Sequence, residues 1–364
     1  MTTRKLGVGV VGLGIGRSHM LAYRNLPDRF EVKAVCDLDE ARLAESGIAW
    51  TTTRLQDLLN SDEIDIINVC TPPNTHLAMI RQALAAGKHV VCEKPLVGSL
   101  AEADAVEAAV AQSKARLFPV FQYRFGNGLE QLIHLRSKGF AKHAMLATIE
   151  THWRRDASYY AIPWRGKWAT EMGGVCLTQA IHAHDILTYV VGPVKSVYAR
   201  LATRVNDIEG EDCAAITLEM ANGSLAVLSA TLGAAEETSR LKFMFDDMTV
   251  ESASPDQYRP AKAPWIFKGK TSEIDAAIEA ALNDFQPSLE SFEGQFAHMH
   301  ATLMQGAPSA VTVADARAAL ELITAIYHSA ETGVAVALPI PKSHPKYASW
   351  KPLSGGFPKE LARG

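Results

Sequence analysis

His89-Val90-Val91-Cys92-Glu93-Lys94-Pro95 is the stretch on which the reading of this chain turns. Its strand-like half does not alternate between apolar and polar residues, so it is read as a strand buried on both faces, as in a parallel sheet. The Glu-Lys-Pro turn that follows then lies at the carboxyl edge of that sheet, where doubly wound sheets bind ligands. Further upstream, Val8–Val11 feeds Gly12-Leu13-Gly14-Ile15-Gly16-Arg17. Glycines between a first strand and a first helix let the backbone turn sharply and approach a pyrophosphate at the helix N-terminus. The match to G-x-G-x-x-G is imperfect, since the third glycine comes one residue early and Arg17 takes its place.

Working outward, apolar runs at 6–11, 32–36, 64–70, 89–92 and 116–121 alternate with amphipathic helical patterns, clearest at 75–86 and 99–113. Asn74 and Ser99 stand where helix N-caps belong. This alternation predicts a doubly wound parallel sheet, covered on both faces, over residues 1–122. After Phe121 the rhythm changes. A helix near 128–138, a long strand at 144–153, a helix from Gly174 to Val191 and strands at 194–203, 212–220, 224–231 and 241–245 predict an α+β domain over 123–338. Its sheet is mostly antiparallel, with Asn222-Gly223 as a hairpin turn. Thr312-x-x-Asp315 opens a helix that Gly333 ends. Residues 339–364, with Pro339, Pro341, Pro345, Pro352 and Pro358, read as an extended tail. The fold class is thus α/β, with the α+β domain second.

The 364 residues suffice for two domains. With 48% apolar residues, 21% charged residues and a net charge of -4, the composition is that of a soluble globular protein without a basic footprint for nucleic acid or membrane. No apolar run reaches the ~20 residues a membrane helix needs. The N-terminal apolar run is broken by glycines and merges with the first strand, so it is not read as a signal peptide. The five cysteines (36, 70, 92, 176 and 213) form no C-x-x-C, and free buried thiols in a reducing cytoplasm are expected.

Asp37 ends the second strand at about the ~20-residue offset of the acid that binds an adenosine ribose. No arginine adjoins it to receive a 2′-phosphate, so NAD is preferred to NADP. The plainer reading has Asp37 capping the next helix. Thr71-Pro72-Pro73-Asn74-Thr75-His76 follows another strand, and its prolines hold a rigid turn at the ligand edge. It could equally be an ordinary turn with an N-cap.

Lys94 is restrained by the strand before it and the proline after it. An amine near an alcohol and a positive nicotinamide ring can have a lowered pKa; the alternative is a surface lysine paired with Glu93. On a helix, Thr178, His182 and Asp185 recur at i, i+4 and i+7 and share one face. His182 can take an alcohol proton near neutral pH. The His182-x-His184-Asp185 string is not read as a metal site, because helical residues two apart point in different directions. His184, His298 and His300 are read as core histidines. The segment 153–168 holds Trp153, Trp164 and Trp168 with Arg154, Arg155, Tyr159, Tyr160, Arg165 and Lys167. Flat aromatic faces suit the C–H faces of sugars and cyclitols, while Arg and Lys bind hydroxyls; a packed loop or an oligomer contact is the other reading.

On these motifs, with Gln-Tyr-Arg-Phe at 122–125 and Gly173-Gly174 leading to His-Ala-His-Asp at 182–185, the chain closely resembles the glucose–fructose oxidoreductase / inositol dehydrogenase / rhizopine-catabolism (Gfo/Idh/MocA) family. The resemblance implies a Rossmann domain, an α/β domain whose open sheet makes oligomer contacts, and a nicotinamide near Glu93-Lys94-Pro95, often with a cis bond before the proline. It implies catalytic roles for Lys94 and His182. It sets Gln122 and Arg124 beside cofactor and substrate, and many relatives have Asn at the Gln122 position. Inositol dehydrogenases carry Asp where Thr178 stands, and Thr cannot accept the same charged hydrogen bond.

The expected activity is an NAD-dependent dehydrogenation of a secondary hydroxyl on a sugar, sugar derivative or cyclitol. Expected cofactor contacts are Gly12, Gly14, Ile15, Gly16, Arg17, Asp37, Thr71, Pro72, Asn74, His76, Glu93, Lys94 and Gln122. Expected substrate contacts are Arg124, Arg165, Trp168, Thr178 and Asp185. No metal, nucleic acid or membrane partner is expected, and a homodimer or homotetramer would form through the second domain's sheet. Two alternatives remain: an enzyme that retains its nicotinamide for transient sugar oxidation, and a non-catalytic NAD- and sugar-binding sensor.

Overall fold

The computed structural model describes residues 4–352 together with 356 and 357. The chain forms two compact units: the residues through Phe121 with Phe292–Arg317, and Gln122–Ser291 with the residues from Ala318 onward.

The first unit is built on six parallel strands, β1 (Leu6–Val11), β2 (Phe30–Cys36), β3 (Trp50–Thr52), β4 (Ile66–Val69), β5 (His89–Cys92) and β6 (Leu117–Pro119). Their order is β3-β2-β1-β4-β5-β6, so the winding reverses between β1 and β4. Such a reversal opens a crevice at the strands' carboxyl ends. Cys36, Val11, Val69 and Cys92 lie in one row across β2, β1, β4 and β5. Asp37, Gly12, Cys70 and Glu93 therefore leave the sheet at the same level.

The segment Phe292–Arg317, expected within the span 123–338, groups instead with the first unit. The reason is apolar burial. Phe296, Ala297 and Met299 of the helix Ser291–Gln305 join the core formed by Val8, Val10, Ile66 and Phe118. The Phe296 ring stacks on Tyr23 with centroids 4.2 Å apart. A buried side chain of this size contributes about 1.5–3 kcal/mol.

Ser99 caps its helix as expected, accepting the Glu102 N–H at 3.1 Å. Thr312 and Asp315 form the reciprocal capping box. Asn74 does not cap: a 3₁₀ turn, Pro73–Thr75, precedes the helix His76–Ala85, and Thr75 occupies the boundary. Consecutive prolines favour that tighter turn because they fix φ.

The second unit carries eight strands, β7 (Ala144–Arg154), β8 (Val194–Ala202), β9 (Cys213–Met220), β10 (Leu225–Thr231), β11 (Gly233–Phe245), β12 (Met248–Ser252), β13 (Trp265–Gly269) and β14 (Val336–Ala337). Their order is β13-β12-β11-β7-β10-β9-β8-β14. Only the β7–β10 pair is parallel. Burial alternates along each strand. Ala147, Ile149, Leu228, Leu241 and Phe243 face the core, and Tyr198, Leu225 and Val227 face outward. Asn222-Gly223 turns β9 into β10, with Gly223 at φ 87° and the Asn222 side chain accepting the Ser224 N–H.

Residues 341–352 contain no helix or strand, yet Tyr347 and Trp350 are buried, and the Trp350 indole donates to the Met172 carbonyl. Pro358 lies outside the described residues.

Candidate active site

In the first unit the glycine-rich turn is explained glycine by glycine. Gly12 has φ 89°, and a Cβ there would lie 2.7 Å from the Cys70 carbonyl oxygen. Gly16 starts the helix Gly16–Arg24, where a Cβ would press on Val10 at 3.0 Å. Gly14 differs, because a Cβ would meet no atom within 4 Å. Tight turn, close ligand approach and helix–strand packing are the three tasks of a dinucleotide fingerprint. Here Gly16, one residue early, performs the third. Ile15 is exposed beside the turn, and Arg17 pairs with Glu45 at 2.7 Å.

Asp37 does not cap the following helix; Asp39 does, accepting the Ala41 and Arg42 N–H groups. One Asp37 oxygen accepts the Leu13 N–H at 2.6 Å and the other the Asp39 N–H at 2.9 Å. Its carboxylate is thereby tied to the glycine-rich turn. The nearby Leu38 side chain is exposed.

Thr71 and Thr75 share a hydroxyl–hydroxyl hydrogen bond of 2.6 Å after β4, with Pro72 extended between them. Asn74 is exposed there. His76 was expected to touch cofactor, but it is fully buried. Its ring nitrogens face the carbonyl oxygens of Pro95 and Thr71, each at 2.9 Å. Burial holds its pKa below the ordinary histidine value. His76 buttresses the turns after β4 and β5, and the Lys94–Pro95 bond between those anchors is cis.

Glu93 is likewise buried rather than presented to a ligand. One oxygen meets His19 Nε2 at 2.9 Å, and the other accepts the Lys94 N–H at 3.0 Å. His19 was missed in the sequence. The available signal was a histidine one turn beyond Gly16 together with Asn68, a polar residue in an otherwise apolar strand.

In the second unit, the 3₁₀ turn Gln122–Arg124 grips the helix Ile181–Val191. The Tyr123 ring stacks on His182 with centroids 4.7 Å apart. Arg124 Nε and an Nη reach the two oxygens of Asp185 at 2.8 and 2.7 Å. That pair is buried, at 6% and 1% side-chain exposure. Asp185 thus holds Arg124, and a direct contact from its carboxylate to substrate is not what the geometry favours. Gln122 has a buried Oε1 without a hydrogen-bond partner among the described residues.

The expected helix from Gly174 to Val191 is interrupted. It consists of Val175–Thr178 and Ile181–Val191. Ala180 N–H reaches back five residues to the Val175 carbonyl, which Gln179 N–H also uses. This widened, π-like turn inserts a residue into the helical register, so Thr178 does not share a regular face with His182 and Asp185. The Thr178 hydroxyl lies against the Gly174 carbonyl at 2.9 Å, a bond known to bend helices. His184 is buried, which depresses its pKa to about 4.

Trp168, expected as a flat sugar platform, is only 8% exposed. Its indole N–H is given to the Glu209 carbonyl, so it is a packing residue. Arg165 stacks on Tyr159 at 3.9 Å and pairs with Glu171. Arg155 pairs with Glu237. Much of the loop's positive charge is therefore neutralised internally. Among the described residues no cluster of three or more His, Cys, Asp or Glu side chains suits a metal, and no helix is long and apolar enough to cross a membrane.

A reversed parallel sheet with a glycine turn open to a ligand at Gly14 and an acid at Asp37 defines a dinucleotide-binding α/β protein. Residues 6–121 match the model of the oxidoreductase family with an NAD-binding Rossmann fold, and 144–251 match the GFO/IDH/MocA C-terminal domain. The chain belongs to this GFO/IDH/MocA family of NAD-dependent oxidoreductases. It is 31% identical to the uncharacterized oxidoreductase YrbE of Bacillus subtilis, over 74% of this chain and 80% of that one. It is 27% identical to D-glucoside 3-dehydrogenase of Escherichia coli, over 93% and 99%. The crystal structure of the WlbA dehydrogenase of Bordetella pertussis, in complex with NADH and UDP-GlcNAcA, is similar with a TM-score of 0.82 at 27% identity, covering 93% of this chain and all of that one (100%).

Proposed function

We propose that this enzyme oxidises a secondary hydroxyl of a sugar, sugar derivative or cyclitol, with NAD preferred to NADP. The observation that carries the reading is Lys94, which follows β5 at the edge where Gly12 and Asp37 also leave the sheet. The dehydrogenases of similar sequence, D-glucoside 3-dehydrogenase among them, support the substrate class.

The pyrophosphate would lie against Gly14 and the N-terminus of the helix Gly16–Arg24, with Ile15, Arg17, Thr71, Pro72 and Asn74 around it. Asp37 would accept the ribose hydroxyls, since each of its oxygens retains a lone pair beyond the backbone N–H it accepts. A 2′-phosphate would meet that carboxylate and be repelled. The open space at Gly14 suits such a ligand. When bound, NAD supplies the hydride acceptor.

His182 accepts the hydroxyl proton as the carbinol is oxidised. The Lys94 ammonium donates a hydrogen bond to the same oxygen and offsets its developing negative charge. Tyr123 and the Arg124–Asp185 pair fix the His182 helix. Thr178 is uncharged and acts as a shape determinant rather than a proton acceptor. Arg165, held by Glu171, orients substrate hydroxyls from the aromatic loop. The outward face of the second unit's sheet, with Tyr198, Leu225 and Val227, is the surface we assign to self-association, giving a dimer or tetramer.

The test is NADH formation by the purified protein across a panel of cyclitols, sugars and glycosides. At least one should be oxidised with NAD more efficiently than with NADP. Absence of NADH formation across the panel would contradict the dehydrogenase reading.

A further inference from the structure

We propose that His19 is a positioning residue for Lys94, acting through the Glu93 carboxylate that fixes the lysine's backbone. The proposal rests on the reading of Lys94 as the group that binds the reacting oxygen.

His19 lies one turn into the helix Gly16–Arg24 and has no solvent exposure. Its Nε2 meets Glu93 Oε1 at 2.9 Å, and its Nδ1 meets Asn68 Oδ1 at 3.1 Å. The Asn68 orientation is fixed independently, since Oδ1 also accepts the Tyr23 hydroxyl at 2.8 Å and Nδ2 donates to Cys70 Sγ at 2.8 Å. Both imidazole nitrogens therefore face acceptors, and only the imidazolium carries a proton on each. Burial opposes that charge, while the Glu93 carboxylate 2.9 Å from Nε2 favours it. Phe292 and Phe296 wall the ring at centroid distances of 4.3 and 5.3 Å.

The result is a buried histidine–carboxylate contact, in which the carboxylate has few alternative positions. The second Glu93 oxygen accepts the Lys94 N–H. One carboxylate thus joins the helix that starts in the glycine-rich turn to the turn that carries Lys94. His76 restrains the other side through the Pro95 carbonyl. Lysine has a long, flexible stem, so fixing its backbone is the available way to aim its amine. A misplacement of ~1 Å at a reacting centre costs on the order of 10²-fold in rate.

The test compares His19→Ala, His19→Gln and Lys94→Met with the parent protein. The substrate is whichever compound of the panel yields NADH, and hydrogen exchange of the Lys94 amide in the apoprotein is followed by NMR. We expect His19→Ala to lower kcat by ~10–100-fold, with KM and NADH affinity changed by less than ~3-fold. We also expect the Lys94 amide to exchange faster and His19→Gln, whose amide can still donate to Glu93, to recover part of the loss. A lower Tm with kcat per folded molecule and Lys94 exchange both unchanged would reduce His19 to a structural role and overturn the proposal. If His19→Ala does not fold, His19→Gln, Glu93→Gln and their double variant replace it. Effects on kcat that do not add support the proposal, and additive effects contradict it. If Lys94→Met keeps its kcat, the reading of Lys94 itself fails. If only Lys94→Met loses kcat, the His19 proposal alone fails.

Discussion

Arg124 and Asp185 face each other in a two-pronged, buried ion pair, one from the 3₁₀ turn at 122–124 and the other from the His182 helix. Because the neighbouring Tyr123 stacks on His182, one turn of chain sets both the angle of the helix and the plane of the imidazole. The pair's value lies in geometry, since removing one partner leaves a buried charge without its counterion.

Asp185→Asn should therefore lower stability by about 3–5 kcal/mol, the range for breaking a buried pair. Arg124→Lys should also destabilise, since an ammonium cannot reproduce the planar fork. Urea unfolding of the two single variants and the double variant gives the coupling energy. Additive losses would contradict the pairing.

Glu211 makes a prediction about pH. It is fully buried beneath the Gly173-Gly174 turn. Its Oε1 accepts the Tyr327 hydroxyl and the Cys176 N–H, and burial raises its pKa to about 7. The folded state holds this proton to higher pH than the unfolded chain, whose carboxyl ionises near 4.5. The stabilisation is thus complete below that lower value and is lost as pH rises towards 7, by roughly 3 kcal/mol at most. Glu211→Gln should flatten the fall in Tm over this interval; a variant that retains the parent's pH profile would exclude Glu211 as its source.

The glycines of the cofactor turn should separate folding from binding. Gly14→Ala should keep the parent Tm but weaken NAD binding by ~10-fold or more, because the methyl group occupies the ligand's place. Gly12→Ala should lose several degrees of Tm, since its positive φ and the Cys70 carbonyl both oppose a side chain. Calorimetry and NAD titration of both variants distinguish the roles; equal Tm losses would mean Gly14 is as constrained as Gly12.

Asp37→Ala should weaken NAD binding by ~10-fold or more, as expected for losing hydrogen bonds to a charged group. NADP binding should fall less or improve, because a repulsive charge is gone. Unchanged NAD affinity would remove the ribose assignment.

Local patterns announced most of this architecture. The unalternating runs that became β1, β4 and β5 told of a parallel sheet, and Asn222-Gly223 of a hairpin, because these are short-range consequences of burial and φ. Relationships between distant segments were not legible. The spacing of Phe296, Ala297 and Met299 revealed a buried helical face but not whose core it joins. His19 becomes informative only beside Asn68 and Glu93. The stripe of Thr178, His182 and Asp185 assumed an unbroken helix, and the wide turn at Ala180 displaced Thr178 from it. Trp168 and His76 carried functional residue types yet proved to be buried buttresses, since residue type does not encode exposure.

Single-turnover and steady-state rates of Lys94→Met, His182→Asn and the double variant, with NADH affinity measured alongside, test most directly whether an amine and an imidazole serve one oxygen. Each single variant should lose ~10²–10⁴-fold in kcat with NADH affinity nearly unchanged, and the double should be little worse than the poorer single. Retention of kcat within about threefold by either single variant, or multiplicative losses in the double, would contradict a shared role.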